Sequence, residues 1–240
     1  MSAVRPKRWS RLAEMTPGFL RRRLLYFETA IDDAVSCFAA GLPDGIRVLD
    51  AGAGESRHAP FFVRQRYISV DLGIGDEAWN YSSLNAVADL TSLPFPSGSF
   101  AACINIVTLE HVPEPACVIQ EMARVLEPGG RLLVVAPLEW EVHQAPHDYF
   151  RYTRHGLERL FTCAGLAGID VQPVGGYFRM MGRRLLNGLQ FFAGGARWIL
   201  FLPAAFFLVP PALVLPWLDF LDRDRNFTLG YICTARKPSG

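Results

Sequence analysis

The sequence predicts an α/β fold built on a parallel sheet with crossover helices. Three observations predict it: short apolar runs alternate with helical patterns, a glycine-spaced turn follows the first run, and an aspartate ends each of the first three runs. At 240 residues, the chain has room for one such domain and an insertion or small appendage. We assign five runs to strands: Ile46–Asp50, Tyr67–Asp71, Ala86–Asp89, Ala102–Val107 and Arg131–Ala136.

Helical spacing of apolar residues predicts the elements that flank these strands. An amphipathic helix over 18–40 precedes the first strand, and further helical patterns lie near 55–65 and 114–126. The last of these ends at Glu127-Pro128-Gly129-Gly130, which is a strong helix stop. Each pattern therefore has the length and position of a crossover helix.

The chain after the fifth strand is predicted to add a helix and two more strands. Thr153 is placed to cap a helix that ends at Gly165. Apolar runs at Ile169–Val174 and Phe227–Ala235 predict the sixth and last strands.

Composition and charge exclude several classes of protein. A net charge of +1 provides no strong field for nucleic acid. Five cysteines without a Cys-x-x-Cys pair predict neither a disulfide framework nor a zinc site, and we predict no metal ion. The arginine-rich N-terminus lacks the apolar core of a secretory signal. We therefore expect a reducing, cytoplasmic location.

The first strand leads into a turn with the spacing of a ligand-binding loop, Val48-Leu49-Asp50-Ala51-Gly52-Ala53-Gly54-Glu55. Glycine permits positive φ angles and lets a ligand approach the backbone closely. A helix that begins here would offer unpaired N–H groups to polar ligand atoms. Arg57 stands where the dinucleotide pattern has its third glycine, which disfavours a nicotinamide cofactor.

Acidic residues end the first three predicted strands. Asp71 follows Asp50 by 21 residues, where a carboxylate can bind both hydroxyls of a ribose. Asp89 could accept a hydrogen bond from an amino group. Each aspartate alone is typical of a turn, but all three would share the carboxyl edge of the sheet.

Residues 46–136 resemble class I S-adenosylmethionine-dependent methyltransferases of the small-molecule type. The resemblance rests on the glycine motif, Asp71 and three later segments in the order typical of that class: Ala88-Asp89-Leu90, Leu109-Glu110-His111-Val112 and Leu126-Glu127-Pro128-Gly129-Gly130. It implies a Rossmann-like seven-stranded sheet whose last strand runs antiparallel, with S-adenosylmethionine as the cofactor.

The same resemblance implies a set of cofactor contacts, each with its own part of the cofactor. They are Gly52 and Gly54 beneath the methionine moiety with Asp50 and Ala53 beside them, Asp71 on the ribose, Leu72 against the adenine, Asp89 and Leu90 at the adenine edge, and the backbone of Ile106 and Val107 by the sulfonium.

Methyl transfer needs a general base only if the acceptor is a hydroxyl or a protonated amine. The candidates are His111, after the fourth strand, and His143, His147 and Asp148, after the fifth. His111 has a second interpretation, because a histidine there could simply pack against the following helix. The other three lie where the acceptor is expected to arrive.

The segment Pro146–Thr153 with Gly156-Leu157 resembles a bacterial subgroup of these enzymes that is associated with cell-surface polysaccharides. That resemblance implies a sugar or glycolipid hydroxyl as the acceptor.

A long apolar segment, Ile199–Leu218, contains no charged residue. Its length would suffice to span a bilayer, but four prolines and its place between two strands of one sheet argue against a single crossing. Two alternatives remain: an in-plane or re-entrant hairpin that docks on the inner face of the membrane, with Arg183, Arg184 and Arg197 near the headgroups, and a soluble lid or homodimer interface.

These observations predict three parts: an N-terminal helical cap (1–44), a methyltransferase domain (45–184 and 219–240) and an apolar insertion (185–218). We predict methylation of a hydroxyl on a small or lipid-linked acceptor. Methylation of a lipophilic ring, such as a quinone precursor, is the alternative. A scaffold protein without turnover is the alternative from another class.

Overall fold

The computed structural model describes residues 25–75 and 78–239. Residues 18–24 of the predicted first helix lie outside this range. The chain divides into two compact units. Among the described residues, the sheet unit contains Ile31–Gln172 and residues 230–239, and the hairpin unit contains Pro173–Leu229 and residues 25–30.

The sheet has seven strands in the order β3-β2-β1-β4-β5-β7-β6. Parallel pairing joins β1 to β2 and β4, β2 to β3, and β4 to β5, whereas β7 is antiparallel to β5. The predicted fold class is therefore confirmed, including the antiparallel last strand. The strands are β1 (Arg47–Ala51), β2 (Arg66–Asp71), β3 (Ala86–Val87), β4 (Phe100–Ile106), β5 (Leu126–Pro137), β6 (Ala167–Pro173) and β7 (Gly230–Arg236).

The helices of the described chain include three that match predicted patterns: α1 (Tyr26–Ala40), α2 (Pro115–Val125) and α3 (Arg154–Cys163). Thr153 caps α3 as predicted, because its hydroxyl accepts a hydrogen bond from the N–H of Gly156. Two more helices, α4 (Tyr177–Gly188) and α5 (Phe201–Val214), belong to the hairpin unit.

The predicted helix near 55–65 is wrong. This stretch forms turns and a short 3₁₀ segment at Ala59–Phe62. Gly54 and Ser56 both have positive φ angles, +52° and +58°, which an α-helix cannot contain. The apolar spacing is real, but left-handed residues at its start prevent a helix.

Every strand differs from its predicted bounds by at least one residue, and the shifts in β3 and β5 change the place of a predicted motif. β3 ends at Val87, two residues before Asp89. The Asp89 carboxylate accepts hydrogen bonds from the N–H and the hydroxyl of Thr91, and this turn does not continue the strand. β5 begins at Leu126 and includes the predicted helix stop. There Gly129, with φ +79°, donates to the carbonyl of Lys237 beyond β7.

Buried apolar side chains line the central strands on both faces. Leu49, Ile104 and Leu133 are almost completely buried, as expected for strands covered on both sides. This core fixes β1 and β4, and thereby holds the loops at their carboxyl ends.

Candidate functional site

The glycine turn after β1 is held by backbone and side-chain hydrogen bonds. The N–H groups of Gly52 and Ala53 donate to the carbonyl of Val70. The Thr108 hydroxyl, beyond β4, donates to the carbonyl of Gly52 at 3.0 Å. A Cβ atom on Gly52, where φ is +89°, would lie 2.3 Å from Cγ2 of Thr108. Gly52 is thus required both by its backbone angle and by the close approach of Thr108.

Asp71 joins the end of β2 to the glycine turn. Its Oδ2 accepts the N–H of Gly54 at 2.9 Å, and its Oδ1 accepts the N–H of Gly73 at 2.8 Å. Each carboxylate oxygen has a second lone pair, so the group can still accept hydrogen bonds from a ribose. Leu72, the residue expected against the adenine, is exposed beside it.

Asp50 is buried beneath the glycine turn. Its Oδ2 accepts a hydrogen bond from the Tyr67 hydroxyl and lies 3.9 Å from Nδ1 of His58. Within the described residues, its Oδ1 has no hydrogen-bond partner. Burial, despite the bond from Tyr67, raises the pKa of Asp50 to about 7. A cation placed at Oδ1 would satisfy this oxygen.

The third acid and its neighbour contribute in different ways. The N–H of Ala88 donates to the carbonyl of Asp71, so Asp89 follows the end of β2 closely, and its side chain is exposed. The Leu90 side chain is buried in the core, so Leu90 can contact a ligand only through its backbone.

The end of β4 carries backbone strain. Val107 has φ +53°, which is costly for a β-branched residue. Its N–H donates to the carbonyl of Val135, and the preceding Ile106 is buried. The two residues expected by the sulfonium therefore lie at a strained turn fixed by neighbouring strands.

Aromatic residues between β2 and β3 form a part of the site that the sequence analysis missed. A Cβ atom on Gly54 would lie 3.2 Å from the ring of Trp79, and the N–H of Gly75 donates to the Tyr81 hydroxyl. The sequence feature that could have predicted them is a pair of aromatic residues in a loop beside two glycines, Gly73 and Gly75.

His111 and His143, which are 32 residues apart in sequence, meet beyond the ends of β4 and β5. Nδ1 of His111 lies 2.6 Å from the carbonyl oxygen of His147, and Nδ1 of His143 lies 3.0 Å from that of Glu141. A carbonyl can only accept, so each Nδ1 carries the proton. The two Nε2 atoms then face each other at 3.1 Å, where a single proton would be shared between the rings.

Hydrogen bonds between two loops hold this histidine pair together. The N–H of Tyr149 donates to the carbonyl of Glu110, and the Tyr152 hydroxyl donates to that of Leu109. The His147 side chain instead approaches the Tyr149 hydroxyl, and His147 binds His111 through its backbone carbonyl.

The side chain of Asp148 is buried, and both of its oxygens accept hydrogen bonds. Arg151 binds both of its oxygens, at 2.6 and 2.9 Å, and its Oδ2 also accepts the N–H of His143. Burial opposes ionisation, but these partners outweigh it and hold the pKa of Asp148 at about 2. The carboxylate is therefore a weak proton acceptor that positions the loop carrying His143.

Glu110 lies against the histidine pair and was not among the predicted site residues. Its side chain is completely buried, with Oε1 3.8 Å from Nε2 of His111. Among the described residues, neither oxygen has a hydrogen-bond partner. Burial raises the pKa of Glu110 to about 8 and lowers that of His111. The sequence feature that could have predicted Glu110 is the Glu-His pair itself.

Comparison with known proteins identifies the sheet unit. Residues 49–134 match the family described as methyltransferase domain. An uncharacterized methyltransferase of Mycobacterium sp. (strain KMS) is 36% identical over 105 residues, which cover 41% of this chain and 41% of that protein. The chain contains a class I S-adenosylmethionine-dependent methyltransferase domain. This methyltransferase domain matches less than half of the length of that relative.

Further comparisons place the methyltransferase domain in a broad group. The ubiquinone biosynthesis O-methyltransferase of Nitrosococcus oceani is 26% identical over 159 residues, covering 55% of this chain and 66% of that protein. The crystal structure of the [4+2]-cyclase SpnF superposes with a TM-score of 0.57 at 23% identity, covering 88% of this chain and 82% of that one. The fold thus occurs in a protein named for another reaction, so the acceptor must be argued from the site.

The residues around the glycine turn fit S-adenosylmethionine, the cofactor of this class. The unpaired Oδ1 of Asp50 can receive the ammonium group, and Asp71 can receive the ribose hydroxyls. Gly52 and Gly54, both with positive φ angles, place no Cβ atom over the turn, so a ligand can approach its backbone closely. The bound cofactor supplies a methyl group on a sulfonium, which is already a good leaving group.

Proposed function

We propose that the methyltransferase domain transfers the methyl group of S-adenosylmethionine to a hydroxyl of a small or lipid-linked acceptor. The observation that carries this proposal is the histidine pair, which lies one turn beyond Thr108, the residue in contact with Gly52. The oxygen–carbon bond forms as the carbon–sulfur bond breaks, leaving S-adenosylhomocysteine. The hydroxyl proton must also leave, and the Nε2 atoms of the pair provide a place for that step.

The lipophilic ring of a quinone precursor is a second candidate acceptor. The name of the Nitrosococcus oceani relative, a ubiquinone biosynthesis O-methyltransferase, supports it. A ring hydroxyl and a sugar hydroxyl both lose a proton on methylation, so the histidine pair can assist the reaction of either acceptor. Lipid attachment is the property that the two candidates share.

Transfer of radiolabelled methyl groups tests the acceptor. We would supply the full chain with a polyprenyl-linked sugar, a polyprenyl-substituted phenol and the corresponding compounds without the lipid. We expect label on oxygen in a lipid-linked compound and slower labelling of the compound without lipid. Cofactor binding by calorimetry without labelling of any acceptor would instead indicate a scaffold without turnover.

Asp71→Ala is the matched variant for cofactor binding in that assay. We expect S-adenosylmethionine affinity to fall by at least about 10-fold, because one charge-assisted hydrogen bond contributes roughly 1.5–3 kcal/mol. Asp44→Ala is the control, since Asp44 makes an exposed ion pair with Arg64 far from any predicted contact. Unchanged affinity in Asp71→Ala would contradict the ribose assignment.

We further infer that the hairpin unit docks this chain, in the cytoplasm, on the lipid membrane. Helices α4 and α5 run antiparallel: Gly182 lies against Ala212 and Pro216, and Gly188 lies against Leu208. The segment Gly195–Leu221 is long and apolar enough to cross a membrane, and its most apolar 18-residue window has a mean hydropathy of 2.2 with 6% of its residues buried.

The distribution of polar groups favours a hairpin that lies in the plane of the membrane. α5 has no polar side chain on any face, and Leu202, Phe206 and Phe207 are 76%, 73% and 72% exposed. α4 supplies the polar side that α5 lacks, and Arg197 and Asp219 are the first charged residues on either side of the apolar segment. The predicted headgroup contact of Arg183 lacks support, since its guanidinium binds Glu28 at 2.7 Å.

Vesicle sedimentation tests this docking. We expect the full chain to bind phosphatidylcholine vesicles, with little added by anionic lipid, because the contact is mainly apolar. Phe206→Ser/Phe207→Ser should weaken binding by at least roughly 100-fold, since each buried phenyl contributes about 1.5–3 kcal/mol. The control is Val63→Ser/Val142→Ser, which changes two exposed side chains of the sheet unit. Unchanged vesicle binding, or conversion of a dimer to a monomer without vesicles, would contradict membrane docking.

A further inference from the structure

We propose that Glu110, His111 and His143 form a binding site for a divalent transition-metal ion, with zinc as the best fit. One ligand atom from each residue lies within 4.8 Å of the other two. Two of the separations are 3.1 Å, between the Nε2 atoms, and 3.8 Å, between Nε2 of His111 and Oε1 of Glu110. Ligands bound tetrahedrally at about 2.1 Å lie about 3.4 Å apart, so small side-chain adjustments suffice.

The orientation of the two imidazoles is the first argument for a cation. Both Nδ1 atoms donate to backbone carbonyls, of His147 and of Glu141. The Nε2 lone pairs therefore point at each other across 3.1 Å, which is repulsive unless a proton or a metal ion lies between them. A Nδ1–H group bound to a carbonyl is also how proteins hold metal-binding histidines.

The environment of Glu110 is the second argument, and it is independent of the first. The side chain is fully buried, and neither oxygen has a hydrogen-bond partner in the described chain. A proton shared between the histidines leaves both Glu110 oxygens without a hydrogen-bond partner, which is costly for a buried carboxyl group whether it is neutral or charged. A metal ion accounts for the carboxylate and both lone pairs at once.

The chemistry of the ligands selects the class of metal. Two imidazole nitrogens and one carboxylate suit zinc and neighbouring transition metals, whereas magnesium and calcium prefer oxygen ligands. Three protein ligands leave a fourth position open, as in catalytic zinc sites. The His143 side chain is 25% exposed, so this ligand of the cluster is in contact with solvent.

The site would explain how the acceptor loses its proton, and this step rests on the proposed function. In the metal-bound form both Nε2 atoms are ligands, so the proton of a hydroxyl bound at the open position would pass to water instead, more readily because the metal stabilises the alkoxide. The oxygen would then attack the methyl group while the sulfur leaves as S-adenosylhomocysteine. Atoms and charges balance without a further reactant.

Metal binding can be measured without any acceptor. We would strip the full chain of metal by dialysis and titrate it with zinc chloride, and we would record the absorption of the cobalt(II) form. We expect one ion per chain, with affinity at least 100-fold lower in Glu110→Gln, His111→Ala and His143→Ala. His155→Ala is the control, because its side chain is exposed on α3 and pairs with Glu158.

The outcomes separate the metal site from the proposed function. Absence of stoichiometric binding, or equal binding by His143→Ala and the parent chain, would overturn the metal site. Methyl transfer at full rate after chelation would overturn its role in catalysis and leave the proposed function intact. Tight zinc binding with no labelled acceptor would support the site and contradict the proposed function. Thermal unfolding of each variant checks that a lost site is not a lost fold.

Discussion

Replacing Gly52 with alanine is expected to reduce S-adenosylmethionine affinity by more than about 100-fold and to lower the stability of the methyltransferase domain. The new Cβ would lie 2.3 Å from Cγ2 of Thr108, so one of the two loops must move. The backbone angle of φ +89° adds a second penalty, about 1 kcal/mol or more for a residue with a Cβ. Calorimetric titration and thermal unfolding measure the two effects separately.

Gly98→Ala is the matched control for Gly52→Ala. Gly98 also has a positive φ, +68°, but a Cβ there meets no atom within 4 Å. It should therefore show the backbone penalty alone, with S-adenosylmethionine affinity unchanged. If Gly52→Ala behaves like Gly98→Ala, the close approach of Thr108 is not what the site needs.

Replacing Asp50 with asparagine is expected to stabilise the cofactor-free chain at pH 8 while weakening cofactor binding. Burial raises the pKa of Asp50 to about 7, whereas it is near 4 in an unfolded chain. The folded state thus favours the protonated carboxyl, so stability is complete below about pH 4 and falls as the pH rises through 7. The loss approaches about 4 kcal/mol above pH 7, at 1.36 kcal/mol per pKa unit.

Asparagine carries no charge, so this pH-dependent loss should disappear in Asp50→Asn, and its side-chain oxygen can still accept the Tyr67 hydroxyl. Thermal unfolding from pH 5 to pH 8 measures the effect, and calorimetry should show at least about 10-fold weaker binding of S-adenosylmethionine. Parallel pH profiles for the parent and the variant would show that Asp50 does not ionise on unfolding. Equal affinities would remove it from the cofactor site.

The sheet could be predicted because local pattern and tertiary structure agree there. Val48 and Leu49 form a short apolar run before glycine in the sequence, and they are buried in β1 before the glycine turn. The agreement fails where one residue overrides the pattern. Ser56, with its positive φ, stops a helix that the apolar spacing over 55–65 favours.

The histidine pair could be predicted only in part, because it depends on contacts between distant residues. His111 and His143 were both recognised as polar residues after strands. Their opposed Nε2 atoms result from hydrogen bonds of each Nδ1 to a backbone carbonyl and from the Arg151 contacts that hold the second loop. No local pattern contains that information. Glu110 stands in a visible Glu-His pair, but its burial without a hydrogen-bond partner depends on tertiary contacts of the same kind.

Thr108 gives the site a thermodynamic consequence. Its hydroxyl binds the carbonyl of Gly52, and its own carbonyl accepts the N–H of His111, so one residue contacts both the glycine turn and the histidine pair. A ligand that orders one side reduces the conformational entropy left to lose on the other. Linkage then requires reciprocity: if the bound cofactor raises the affinity of a ligand for the histidine pair by some factor, that ligand raises the affinity of the cofactor by the same factor.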